Sequence, residues 1–392
     1  MTATNAASAN VTQFPGNVDI MRKAKCAICG HEDHSLINHL RDAHGSTADQ
    51  YLAAHPGAEV LSPFGKKVFD EMVKRPDIPA ALQYKEKAYD SMATFGVGFG
   101  AKKAPKPIRG YEGFGHDDGV PQADPNYFFT DTARDVLMGM MAGAKIYAKG
   151  PTGSGKTTLY EQISARLGRP FFRQQFHGEM EPTELTGNWF VNERGVMEYM
   201  YSGLVRALQL PSIVCLDEYD SGNAVVSAIA NALLEGKPLV LANKGGEKVQ
   251  PHKDCIIVAT GNTAGMGDDT GLYASTSVQS FATMNRFGMF VNIDYMTEEE
   301  EKALLLKIHP TMPPEFARDI CKVAKLVRDG FVGGSVSVVL STRQVLNWAR
   351  WIMMTGDERR SFELSFANQL GGPDRAVVDQ LFQRVFGSGK GK

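Results

Sequence analysis

Cysteine and tryptophan are scarce in this chain of 392 residues, which has five of the first and three of the second. So few thiols cannot staple a fold of this size. A disulfide scaffold is therefore excluded, and a reducing compartment is expected. Neither sign of charge prevails, with 42 Lys and Arg against 44 Asp and Glu and a formal net charge of −2. A polybasic coat for nucleic acid is thus excluded for the chain as a whole, although not a local basic patch. No apolar run approaches the roughly 18 residues of a membrane span. The opening stretch MTATNAASANVTQFPG lacks a charged start followed by an apolar core, so a cytoplasmic rather than an exported protein is expected. What is present, 43% hydrophobic and 22% charged residues, is the composition of a globular protein. At about 150 residues per domain, the length suits two or three domains.

Composition divides the chain. Residues 1–21 are small and polar, the pattern of a disordered tail. Residues 22–63 form a Cys/His-rich, zinc-finger-like module. Residues 64–121 read as a partly helical, Gly/Pro-rich linker, with seven glycines and three prolines between Thr94 and Pro121. From 122 to 296 short apolar runs (Ile146–Ala148, Phe171–Phe172, Ile213–Leu216, Ile256–Ala259, Phe290–Val291) alternate with longer helical segments. That alternation predicts an α/β domain with a mainly parallel sheet covered by helices. From 297 to 392 the strand signals fade into amphipathic helices, starting with Thr297 as an N-cap before Glu298, Glu299 and Glu300. This last part is expected to be a separate helical domain.

One motif carries strong chemical information. Gly150-Pro151-Thr152-Gly153-Ser154-Gly155-Lys156-Thr157 matches G-x-x-x-x-G-K-[ST] between a strand and a helix. Its glycines let backbone N–H groups, through Thr158, cradle phosphates; Lys156 would neutralise the outer ones and Thr157 would ligate Mg²⁺. A second apolar run ends in Asp217 and Glu218, at the carboxyl end of a strand where open α/β sheets bind ligands. Asp217 is expected in the Mg²⁺ shell, with Glu218 polarising the attacking water. A third run ends in Asn262, a neutral amide able to position that water. ATP and Mg²⁺ are the expected ligands.

In this order the motifs resemble those of the AAA+ ATPases, an α/β P-loop fold with a helical lid. Met284-Asn285-Arg286-Phe287 and Ser341-Thr342-Arg343-Gln344 complete the series. The segment from Glu184 to Leu208 looks like the insertion of the MoxR branch. Within that branch, Asp217-Glu-Tyr-Asp220-Ser-Gly222, Gly265-Met-Gly-Asp268-Asp-Thr270-Gly-Leu-Tyr273 and Val120-Pro-Gln-Ala-Asp124-Pro-Asn-Tyr127 resemble the CobS type of cobaltochelatase ATPase subunit. The resemblance implies that Arg286 is an arginine finger reaching a neighbour's nucleotide, and that Arg343 is the sensor-2 arginine of the lid. It also implies a homo-oligomeric ring, a hexamer by family expectation, and a von Willebrand A-domain partner protein.

The N-terminal module carries Cys26-x₂-Cys29-x₉-His39-x₄-His44, two thiolates and two imidazoles at spacings suited to tetrahedral Zn²⁺. His31, His34 and His55 are alternative ligands, and Ser35 is the expected cap of the following helix. The short spacer resembles the Ros/MucR finger, which implies DNA binding. Against that, residues 22–62 hold four basic and five acidic side chains, so protein docking is favoured over a groove reader. Two functions stand at this point. One is an Mg-ATP-hydrolysing ring motor that remodels a partner protein, as in a metal (cobalt) chelatase-like complex. The other is a zinc-finger-bearing, DNA-binding translocase or regulator.

Overall fold

The computed structural model describes residues 22–66, 84–192, 195, 197–267 and 276–387. The expected disordered tail, part of the 64–121 segment and all of Asp268–Tyr273 lie outside the described residues. Backbone contacts divide the chain into two units. One is Met1–Ala81 with Gly187–Tyr201; the other is Leu82–Thr186 with Ser202–Lys392.

The larger unit is built on five strands: β1 (Ile146–Lys149), β2 (Phe171–Gln175), β3 (Ile213–Asp217), β4 (Ile256–Gly261) and β5 (Met289–Asn292). They pair in the order β5-β1-β4-β3-β2, every neighbour parallel. Strand β3, Ile-Val-Cys-Leu-Asp, is buried at all five positions, as a central parallel strand covered on both faces must be. Edge strand β2 is instead polar after its two phenylalanines. Three helices concern the site: α1 (Asp131–Met141), α2 (Lys156–Arg166) and α3 (Ala224–Leu234). In α1 the buried Ala133, Val136, Leu137 and Met140 recur at helical spacing and join Ile146, Ile213 and Val258 in one core. The side chain of Asn223 caps α3, accepting from the N–H groups of Val225 and Val226.

The helical lid follows as α4 (Glu298–Ile308), α5 (Pro314–Val332), α6 (Thr342–Thr355), α7 (Glu358–Ser365) and α8 (Gly372–Phe386). Its own core gathers Ile320, Val327, Trp348, Phe362 and Phe382. Reciprocal capping boxes set the starts of α4 (Thr297 with Glu300) and α6 (Ser341 with Gln344).

The segment expected to be a linker is ordered where it is described. Strands Lys85–Asp90 and Pro107–Glu112 form an antiparallel hairpin, and Phe95, Val97, Phe99 and Ile108 are buried in the core of the sheet domain. Glycine and proline density marks the turns of this segment, and it masked four apolar residues that need a wall to pack against. Of the basic cluster there, Arg109 pairs with Glu86 at 3.0 Å and Asp254 at 2.6 Å, and Lys106 lies over the Phe99 ring.

In the smaller unit, strands Ala24–Lys25 and Glu32–Asp33 form a knuckle, followed by helices Ile37–His44 and Ala48–Ala54. Leu36, Leu40, Tyr51 and Val60 are its core. Ser35 does not cap the first helix as expected. It bridges Leu61 across the module, and Leu36 takes the N-cap position without a side-chain bond. The hairpin Gly187–Val191/Met197–Tyr201 belongs to this unit. It is inserted between the short helices Pro182–Thr186 and Gly203–Leu208, where the family resemblance put an insertion.

Candidate nucleotide site and metal-ligating cluster

The loop joining β1 to α2 is shaped by glycine. Gly153 and Gly155 hold φ angles of +72° and +94°, a region that residues with a Cβ seldom enter. At Gly153 a Cβ would also lie 2.7 Å from the Cβ of Ser341, so the loop packs directly on the start of lid helix α6. The first N–H groups of α2 have no intrahelical acceptor and point with the helix dipole toward any anion in the loop.

The expected residues meet in one cleft. Thr152, Gly153, Lys156, Thr157 and Thr158 line it, facing Asp217, Glu218 and Asn262 from the strand ends and Arg343 from α6. Gly150 and Pro151 contribute carbonyls: Lys156 Nζ donates to them at 2.8 and 3.0 Å and to Asn262 Oδ1 at 2.9 Å. Burial pushes the Lys156 ammonium down to about 8, against the pull of Asp220, Asp217 and Glu218. The Ser154 hydroxyl is buried without a partner among the described residues.

Asp217 closes β3 with a carboxylate only 3% exposed. Its Oδ1 accepts from Thr157 Oγ1 at 2.7 Å and Thr260 Oγ1 at 2.5 Å. The pair Thr157 and Asp217 thus offers adjoining hard oxygen donors, the kind Mg²⁺ takes; the donor set fits that ion. Glu218 is in the left-handed region at φ 51°, ψ 43°. It is one of two non-glycine residues with positive φ among those described. Its N–H donates to Thr260 Oγ1 at 3.0 Å, so the strained peptide is fixed by β4. Strain of this kind gathers at sites where a side chain must be aimed.

Residue-level reading of the sequence missed four groups around this cleft. Arg173 on β2 donates to Asp217 Oδ2 through Nε at 2.5 Å and also through Nη2. Arg173 Nη2 donates to Gln175 Oε1 at 2.7 Å, and Gln175 Nε2 donates to Glu218 Oε2 at 2.6 Å. The Asp220 carboxylate, fully buried, accepts from the Asn262 N–H at 2.9 Å and from the Thr263 N–H and hydroxyl, and so sets the loop that carries Asn262. Thr260 is the fourth. The available signal was periodicity: residues 173 and 175 share one face of a strand beside β3.

Arg286 does not line this cleft. It donates to Glu235 Oε1 and to the carbonyl of Ala282, both at 2.6 Å. Arg343 lies within the capping box of α6, between Ser341 and Gln344, and that helix is tied to the loop by a chain of contacts. Tyr295 OH donates to the Thr152 carbonyl at 2.8 Å, the Arg328 guanidinium lies 4.3 Å over the Tyr295 ring, and Glu301 joins Arg328 to Thr342.

In the smaller unit the ligand atoms of Cys26, Cys29, His39 and His44 all lie within 4.8 Å of one another. Cys29 Sγ is 3.0 Å from His39 Nε2 and 3.4 Å from His44 Nε2; Cys26 Sγ is 3.6 Å from His44 Nε2, and the two imidazole nitrogens are 3.2 Å apart. Tetrahedral Zn²⁺ with ordinary bond lengths needs S···N edges of about 3.6 Å and N···N edges of about 3.3 Å. The alternative ligands are not in that set of four: His31 stacks on the His39 ring, His34 bonds Ser62, and His55 leans on Tyr51. Cys215, Cys255 and Cys321 are buried, free thiols.

A family described as "AAA domain (dynein-related subfamily)" matches residues 147–287. The chain is 30% identical to the aerobic cobaltochelatase subunit CobS of Sinorhizobium sp., over 68% of this chain and 83% of that protein. It is 27% identical to protein NorQ of Paracoccus denitrificans over 36% of this chain and 50% of NorQ. It is also 27% identical to protein CbbQ of Hydrogenophilus thermoluteolus, over 40% of this chain and 55% of CbbQ.

Proposed function

The chain belongs to the AAA+ ATPases, in the MoxR-type group that holds CobS, NorQ and CbbQ, and from that premise we propose that it is a ring motor that turns ATP hydrolysis into remodelling of a partner protein. Proteins of this group oligomerise and work with partners; the finer statements that follow are proposals. The single observation that supports the reading best is the cleft itself, where a phosphate loop, two carboxylates, an amide and a lid arginine converge.

Within that cleft Lys156 neutralises the outer phosphates and the α2 N–H groups hold them. Thr157 and Asp217 would hold Mg²⁺, which would supply positive charge to offset that of the phosphates. Glu218 accepts the proton of the attacking water, and Asn262, fixed through Asp220, orients that water. Arg343 reports the state of the phosphates to the lid. Arg286, which serves no group in its own cleft, enters the site of the next subunit. Such a trans arginine is worth about 10³–10⁵ in rate. The assembly we propose is a ring, because one subunit then cannot complete its own site, and by family expectation a hexamer.

We assign Zn²⁺ to Cys26, Cys29, His39 and His44, on the fit of their spacing to tetrahedral edges. The near balance of charge in the module supports protein docking rather than DNA binding. No helix among the described residues is long and apolar enough to cross a membrane, and the cytoplasm, with its supply of ATP, is the proposed compartment. The likeness to CobS makes a chelatase-like assembly with a von Willebrand A-domain protein the first partner to seek.

The test is capture with a Glu218→Gln variant held with Mg-ATP in lysate of the native host. Recovery of an A-domain protein together with a large tetrapyrrole-binding subunit supports the chelatase form. An A-domain protein alone supports a different remodeller. Nuclease-sensitive complexes with no such protein sink the reading.

A further inference from the structure

The Asp217 carboxylate is almost wholly removed from water, and a buried anion needs a positive partner. Two cations flank it. Lys156 directs its ammonium to the Gly150 and Pro151 carbonyls and to Asn262. Arg173 alone of the two reaches the carboxylate, covering Oδ2 with Nε and Nη2. Oδ1 accepts from the hydroxyls of Thr157 and Thr260. The guanidinium is thus seated on one of the two oxygens available to a metal at this position.

The burial of the two partners is unequal: the Arg173 side chain is 53% exposed and that of Asp217 is 3% exposed. A guanidinium half in water loses little when it swings out, and solvent weakens its hold. A divalent ion brings twice the charge. We propose that Arg173 is the resting counter-ion of Asp217, a positioning residue that holds the carboxylate while the metal is absent and is displaced when Mg²⁺ enters with nucleotide. Its departure is felt at the second carboxylate, because Arg173 also donates to Gln175, which donates to Glu218. Strand β2 thereby ties metal entry to both acidic residues, and beyond residue 175 the chain runs on to the inserted hairpin. This inference rests on the assignment of Asp217 to the Mg²⁺ shell.

The experiment measures binding of a fluorescent ADP analogue to the full-length chain, in EDTA and across a Mg²⁺ titration. Arg173→Ala is expected to lower the half-saturating Mg²⁺ concentration about tenfold, the lower end of what a hydrogen-bonded charge contributes. Arg173→Lys, with one charge and no fork, shifts it less in the same direction, and it decides the matter if the alanine variant fails to fold. Loss of a merely structural contact would weaken binding in EDTA and in Mg²⁺ alike, without moving the half-saturation point. An unchanged or raised half-saturation, with nucleotide still bound in EDTA, overturns the proposal. Asp217→Asn separates the two levels. If it abolishes the Mg²⁺ response, the metal assignment stands whatever Arg173 does; if the response persists, the metal assignment itself fails.

Discussion

Removing the Glu301 carboxylate from α4 should unsettle the lid more than any surface change. Glu301 is fully buried and Arg328 is 13% exposed. The carboxylate accepts from Arg328 Nη2 at 2.8 Å and Nη1 at 3.0 Å, and from the Thr342 hydroxyl at 2.8 Å. Arg328 Nε is held separately by the Leu340 carbonyl at 2.8 Å, so the guanidinium cannot follow its partner out to solvent. Glu301→Ala would therefore strand a buried cation, at a cost of about 3–5 kcal/mol. For a unit of this size that corresponds to a fall in melting temperature on the order of 10 °C. The Thr342 hydroxyl bond adds about 1 kcal/mol taken alone, but it shares the same oxygen and will not simply sum. The assay is thermal unfolding followed by circular dichroism. It compares Glu301→Ala with the double variant Glu301→Leu, Arg328→Met, which removes both charges and should recover at least half of the loss. A drop of under about 2 °C, or a double variant as unstable as the single one, would refute the reasoning. Since Thr342 starts the helix bearing Arg343, the single variant should also bind ATP more weakly.

Other consequences can be checked separately. Lys156 has its pKa depressed to about 8, so its charge is lost as pH rises through that value. Metal-free nucleotide affinity, measured by equilibrium binding, should fall over that window, and Lys156→Arg should flatten the profile. On stability the sign is reversed: burial of the ammonium is a penalty at neutral pH that is relieved between about 8 and the ordinary 10.5. Gly153→Ala forces a Cβ against Ser341 in a left-handed backbone and should weaken nucleotide binding. It should also speed hydrogen exchange in 341–355, while the melting of the sheet domain changes little. Cys29→Ser should release zinc, read by elemental analysis, and abolish the protection of residues 22–66 from protease, because a core this small relies on its metal. Zinc retained at the wild-type level would overturn the ligand assignment, and retained protection without metal would overturn the metal's role in holding the fold.

The sheet was legible wherever burial on both faces forced a continuous apolar run. Ile213–Leu216 and Ile256–Ala259 are such runs, and both are central strands of the structure. The phosphate loop was legible because a backbone cradle demands glycine at fixed spacing. The groups that adjust the carboxylates were not. Arg173 and Gln175 sit on an edge strand whose polar half has the same composition as an exposed strand, and only the neighbouring β3 gives them a role. Asp220 was visible as part of a family-like motif, yet its grip on the Asn262 loop depends on a contact between strand ends far apart in sequence. The hairpin between Lys85 and Glu112 failed for another reason: composition averaged over its turns outweighed four buried apolar side chains.

The left-handed backbone at Glu218 sets the two demands on that position against each other. A glycine there would relieve a strain of about 1–2 kcal/mol and leave the fold intact, but it would remove the carboxylate. With Glu218 in its proposed role, the change to glycine therefore raises heat resistance and lowers turnover. A population selected only for surviving high temperature would be expected to drift toward a sturdier protein that no longer hydrolyses ATP.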